Sequence, residues 1–162
     1  EIVEFDAGNR LNVLQEVIDE ASHKVLVFVP YRHAIEIVAE HLKKHHTVEV
    51  IHGGVSAGKR TEIFSRFQTE KDPQILVIQP QAASHGVTLH AADTIVYWSP
   101  VMSVETYLQA NARIDRPGQK HPMTVFHIQG SPIENRLYLM LQANITHHEQ
   151  LVDLYKKELA DA

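Results

Sequence analysis

The chain has no cysteine, which rules out disulfides and thiolate metal sites. No apolar run approaches the roughly 20 residues that span a bilayer, and no basic-then-apolar leader opens the chain. A soluble, intracellular protein without a membrane partner is the expectation. Positive charge is also scarce: 15 Lys and Arg against 20 Asp and Glu leave a net charge of −5 with histidine neutral. That is the wrong sign for a domain that grips nucleic acid by bulk electrostatics, so any such contact has to be local and shared with another domain. What is present suffices for a core. With 162 residues, 44% of them hydrophobic, the chain can build one full domain but not two of ordinary size. It begins at Glu1, and we expect residues 1–162 to be a single domain cut from a longer polypeptide.

Short apolar runs alternate with helical spacing, the signature of a parallel α/β sheet. Lys24-Val25-Leu26-Val27-Phe28-Val29 is continuous and β-branched, as a strand covered on both faces should be. Further strands are expected at 47–51, 74–78, 94–97 and 123–128. Helices are expected after Pro30, where Ala34, Ile35, Ile37, Val38 and Leu42 follow helical spacing, and over 56–67 and 104–114. Pro132 precedes a long helical stretch to about Leu159, with a break near Thr146-His147-His148. Leu11, Leu14, Val17 and Ile18 recur at helical spacing at the other end. Five β/α units in this length give a three-layer domain with a mainly parallel central sheet. Residues 1–22 and 136–162 are expected to be flanking helical segments.

The segment Gln109-Ala110-Asn111-Ala112-Arg113-Ile114-Asp115-Arg116-Pro117-Gly118-Gln119 sets two arginines three residues apart between two glutamines. Guanidinium groups bind phosphate oxygens in a two-pronged geometry that lysine cannot copy. On a continuing helix, exposed residues 113 and 116 share one side and can converge on one triphosphate. The plainer alternative is a solvated helix whose arginines pair with Glu105 or Asp115. Every fixed position of Q-A-x-x-R-x-x-R-x-G-Q is matched, and the segment therefore resembles motif VI of the Swi/Snf-type branch of superfamily-two helicases.

Upstream segments carry the same resemblance. Gln79 to Asp93 resembles motif V, with Gly86, Thr88, Leu89, Ala91, Ala92 and Asp93 in place and Ala83-Ser84 where two glycines are frequent. The alternative is an ordinary βα loop whose glycine only turns the chain. His52-Gly53-Gly54, followed by a helix with Lys59, Arg60, Ile63 and Phe67, looks like the family's glycine loop with its downstream Arg and Phe. Adjacent glycines let backbone amides approach a phosphate, and the helix N-terminus adds partial positive charge. Gly53-x4-Gly58-Lys59 also meets most of a phosphate-binding G-x-x-x-x-G-K-[ST] loop. Arg60 stands where the magnesium-binding hydroxyl belongs, and no acidic pair follows a later strand. Lys24 to Val29 with Pro30-Tyr31-Arg32 resembles motif IV, making Arg32 either a phosphate contact or a solvated helix start. Met102-Ser103-Val104 falls where eukaryotic members show Trp-Asn-Pro, a departure that better fits a microbial or viral relative.

The resemblance implies a RecA-like second lobe, the C-terminal half of a DNA-dependent ATPase whose other lobe binds most of ATP and Mg. Arg113 and Arg116 would then be catalytic, with Gln109, Gly86 and Thr88 at the nucleotide. Arg32, His52, Gly53, Gly54, Gln81 and Ser84 would meet double-stranded DNA, weakly in this lobe alone. The implied compartment is the cytoplasm, or the nucleus of a eukaryote. His41-x3-His45 and His147-His148 lack a spacing that completes a metal site and read as surface residues, so no metal is expected. Two alternatives stand beside this reading. One is a non-catalytic binding or regulatory module on the same fold. The other is a strand-separating DEAD-box or RecQ-like lobe, whose motif VI places glycine where Ala112 stands.

Overall fold

Alternate residues of each central strand enter opposite cores, because successive Cβ atoms leave a strand on opposite faces. The computed structural model describes residues 2–6, 9–83, 87–114, 122–144 and 149–160, with the backbone alone at 2–6 and 149–150. Along β2 (Lys24–Phe28), Leu26 and Phe28 join one core while Val25 and Val27 join the other. In β4 (Ile75–Ile78), Leu76 and Ile78 divide from Ile75 and Val77 in the same way. The first core is closed by α3 (Ala57–Thr69), α4 (Val104–Asn111) and α5 (Pro132–Gln142). The second is closed by α1 (Arg10–Glu20) and α2 (Arg32–Leu42). Helices on both faces of one sheet make the expected three layers. Phe67 of α3 is fully buried, and truncating such a side chain to alanine costs about 3–5 kcal/mol.

The sheet has six strands in the order β1-β6-β5-β2-β4-β3, with β1 at Ile2–Asp6, β3 at Val48–Ile51, β5 at Ala92–Tyr97 and β6 at Thr124–Gln129. Every pairing is parallel. All strands therefore end at the same edge, and the loops that leave them there gather the candidate site residues.

Two expectations change. Residues 1–22 are not only a helical flank, since Ile2–Asp6 pairs with Val125 to Gln129 and adds a sixth strand. Helix α4 stops at Asn111 instead of running to Ile114. The bonds Arg113 N to Ala110 O and Ile114 N to Asn111 O tighten the chain there, and Arg113 O accepts from Leu89 N at 2.8 Å. Arg113 thus sits in a turn after the helix. The last segment is two helices, α5 and α6 (Glu149–Ala160), and the expected break at 146–148 lies outside the described residues.

Local chemistry sets the helix starts. Ser56, Ser103 and Ser131 each accept a hydrogen bond from the backbone N–H three residues on, at Lys59, Thr106 and Glu134, supplying partners to donors a helix start leaves unpaired. Pro132 occupies the first turn of α5, where a missing N–H costs nothing. Buried Glu134 then serves as a hub. It pairs with Arg10 and accepts from Gly130 N–H at 2.6 Å and Tyr155 O–H at 2.9 Å. Arg10 also donates to the carbonyls of Trp98 and Ile128. One carboxylate therefore ties α1, α5 and α6 to the ends of β5 and β6.

Candidate nucleic-acid and nucleotide surfaces

Strand order converts residues distant in sequence into neighbours. Arg32 opens α2 just beyond β2, Gln81 lies in a 3-10 turn (Pro80–Ala83) just beyond β4, and His52-Gly53-Gly54 follows β3. Those three strands are adjacent. Arg32 and Gln81 are exposed and His52 is half-buried. A Cβ added at Gly54 would lie 2.7 Å from Arg32 Nη2 and 2.9 Å from the His52 ring, whereas one added at Gly53 would meet open space. Arg32 and the glycine loop therefore form one surface, as a shared phosphate contact requires. Ser84 lies outside the described residues.

The glycine loop is itself ordered by hydrogen bonds. Val55 N–H donates to His52 O at 3.0 Å, closing a turn, and Gly54 N–H donates to His52 Nδ1 at 2.9 Å. A backbone N–H can only donate, so Nδ1 is unprotonated and a neutral His52 carries its proton on Nε2. From below, Arg60 of α3 donates Nε to Val55 O at 3.0 Å and Nη2 to His52 O at 3.3 Å. Arg60 stands where a nucleotide-binding loop needs a serine or threonine, and its guanidinium is turned toward carbonyls. These residues do not fit a magnesium site. Among the described residues no three His, Asp or Glu side chains cluster closely enough for a metal ion.

On the other side of β2 the motif VI residues meet motif V. Arg113 was expected to be exposed, but it is only 6% exposed. Its Nε donates to Gln109 O at 2.8 Å and its Nη1 to Val87 O at 3.2 Å, while its own carbonyl accepts from Leu89. The guanidinium thus joins the end of α4 to the loop before β5. Thr88 is half-buried between those two anchor points, and Gln109 donates its side-chain amide to Glu105 at 3.2 Å. Gly86 and Arg116 lie outside the described residues.

Two supports were not legible in the sequence. Gln68 of α3 accepts from Ala91 N–H at 2.8 Å, fixing the far end of the motif V loop. Tyr97 on β5 donates its hydroxyl to Asn111 at 2.7 Å, fixing the end of α4. Burial pushes the Tyr97 phenol well above the ordinary tyrosine range, so it remains a neutral donor at physiological pH. Next to it, His127 bonds Tyr107 at 2.9 Å and stacks on Tyr138 with centroids 4.1 Å apart.

Known proteins resemble this chain. Residues 9–118 match the helicase conserved C-terminal domain. The chain belongs to that family. It is 29% identical over 138 residues to Chromodomain-helicase-DNA-binding protein 1-like of Danio rerio, covering 82% of this chain and 13% of that protein. Motifs and relatives together place it with the Swi/Snf-type C-terminal lobes. That relative is eukaryotic and lends no support to the microbial or viral source expected. The C-terminal part of the Fun30 ATPase domain superposes with a TM-score of 0.76 at 18% identity, over 94% of this chain and 54% of that one. The C-terminal domain of the DEAD-box protein Dbp5 gives 0.75 at 16% identity, over 88% and 82%. These likenesses establish the RecA-like fold, which both helicase branches share. Among the described residues no helix is long and apolar enough to cross a membrane.

Proposed function

We propose that this chain is the second motor lobe of a DNA-dependent ATPase or translocase, inactive alone and completed by an N-terminal RecA-like lobe of the same parent. The observation that supports this best is the meeting of Arg32 with the His52-Gly53-Gly54 loop across the strand order. A track for phosphates and an anchored arginine motif then lie on one edge of one sheet. ATP and Mg would be held mainly by the other lobe, since Arg60 replaces the hydroxyl that a magnesium site here would need. The arginines of motif VI would stabilise charge developing on the transferring phosphoryl group. Arg116 is the more critical of the two, because Arg113 is engaged with Val87 and Gln109. Gln109, Thr88 and Gly86 would line the nucleotide edge. A place in a eukaryotic nucleus would suit such a parent, given its eukaryotic relative.

Arg32, His52, Gly53, Gly54, Gln81 and Ser84 would follow one DNA backbone. With a net charge of −5, binding by this lobe alone should be weak, salt-sensitive and indifferent to base sequence. Titration of the chain with labelled duplexes of unrelated sequence checks this. Nanomolar, sequence-selective binding in about 0.15 M salt would point to a groove-reading module instead.

A further inference from the structure

The geometry points to Arg60 as a positioning residue that turns the glycine loop's amides toward a nucleic-acid phosphate, without itself touching that phosphate. The inference rests on the proposed DNA track and assigns a separate task to a residue beneath it. Arg60 is half-buried in the first turn of α3. Its Nε donates to Val55 O at 3.0 Å, and its Nη2 to His52 O at 3.3 Å and, at the limit of bonding, to Gly53 O at 3.5 Å. Three carbonyls of one loop thus face a single guanidinium.

The consequence follows from peptide geometry. In a trans peptide the C=O and the N–H of the next residue point in opposite directions. Holding the carbonyls of His52 and Val55 toward Arg60 therefore directs the N–H groups of Gly53 and Ser56 away from it. The other two amides of the turn are already committed, Gly54 N–H to His52 Nδ1 and Val55 N–H to His52 O. The freed amides stand beside the N-terminus of α3, whose own first N–H groups lack intrahelical partners. Carbonyl oxygens, which would repel a phosphate, are drawn to the other side. Exposed Arg32 crosses the same loop at Gly54. The two arginines divide the work: Arg32 supplies charge to the ligand and Arg60 supplies the shape of the loop.

Lysine at position 60 keeps the charge but cannot reach several carbonyls in a planar fork. The test is fluorescence anisotropy of a labelled duplex about 20 base pairs long with the 162-residue chain, from about 25 to 200 mM salt, for the wild type and for R60K, R60Q and R32A. A phosphate contact shows in the salt slope, which falls by about one when it is removed. Neutral amide contacts release no counterions. The expected result is an affinity loss of about tenfold in both R60K and R60Q with the wild-type slope retained, equivalent to about 1.4 kcal/mol. R32A should lower the slope by about one. Wild-type affinity in R60K, or a slope reduced by about one in R60Q, would overturn the positioning role while leaving the DNA track intact. Failure of the wild-type chain to bind at the lowest salt would overturn the track and the inference together. Thermal melting accompanies each variant, and if R60Q does not fold, R60K decides. An R60K that melts lower but binds as the wild type does would make Arg60 a purely structural residue and overturn the inference.

Discussion

The nearest guanidinium nitrogen of Arg32 lies 2.7 Å from where a Cβ on Gly54 would sit, although the two residues follow strands separated by β4. Real side chains do not approach that closely, so Gly54→Ala forces Arg32 to swing away. Because the obstacles are side-chain atoms, of Arg32 and of the His52 ring, and not backbone, the fold should tolerate the change, with Tm moving by no more than about 2–4 °C, the equivalent of about 1 kcal/mol. DNA affinity should fall about as far as in Arg32→Ala. The double variant should lose little more than either single one, because residues in contact couple. Additive losses in that cycle would show that Gly54 and Arg32 act on the ligand independently.

Arg113→Ala should destabilise the chain, because Val87 O and Gln109 O lose a buried donor. An acceptor left unsatisfied costs about 1–3 kcal/mol. At about 2 kcal/mol, a domain of this length should melt roughly 4–8 °C lower. An unchanged Tm would mean that the link between α4 and the motif V loop contributes nothing.

Both arginine positions were identifiable from the motif, but their surroundings were not. A helix was expected over 104–114 where α4 forms at Val104–Asn111, and Pro132 was read as preceding a helical stretch. Nothing within the segment reveals that Leu89 would take the carbonyl of Arg113, since that bond joins residues far apart in sequence. Arg60 was visible as the arginine downstream of the glycine loop, but its grip on three carbonyls depends on how the turn closes. Ile2–Asp6 was missed for a different reason. Alternation of apolar and acidic residues over so short a run becomes a strand only when β6 is there to pair with it.

Glu134→Ala should be the more damaging change. It strands Arg10 beside a buried site and removes the acceptor of Gly130 N–H and Tyr155 O–H. Breaking a buried pair by deleting one partner costs about 3–5 kcal/mol. Chemical denaturation should show that loss, with Glu134→Gln recovering part of it through its remaining oxygen. Equal losses in the two variants would contradict the hydrogen-bond account.

Stability should fall at alkaline pH. Burial raises the phenols of Tyr97 and Tyr138 well above the ordinary range, so the folded chain holds those protons more tightly than the unfolded chain does. Their contribution is complete below the unfolded tyrosine value of about 10 and is lost as pH climbs above it toward the folded values. Urea midpoints should therefore decline between about pH 9.5 and 11, and Tyr97→Phe should flatten part of that decline. A wild-type midpoint that stays level across that interval would contradict it.

The most direct measurement is ATP turnover with saturating duplex DNA, first for this chain alone and then for the chain joined to the N-terminal lobe of its parent. The chain alone should show no meaningful hydrolysis, and the joined protein should show DNA-stimulated turnover. Arg116→Lys should reduce that turnover by roughly 10³-fold while changing ATP affinity less. Turnover by the isolated chain on the order of 1 per second or faster would contradict its assignment as the second lobe.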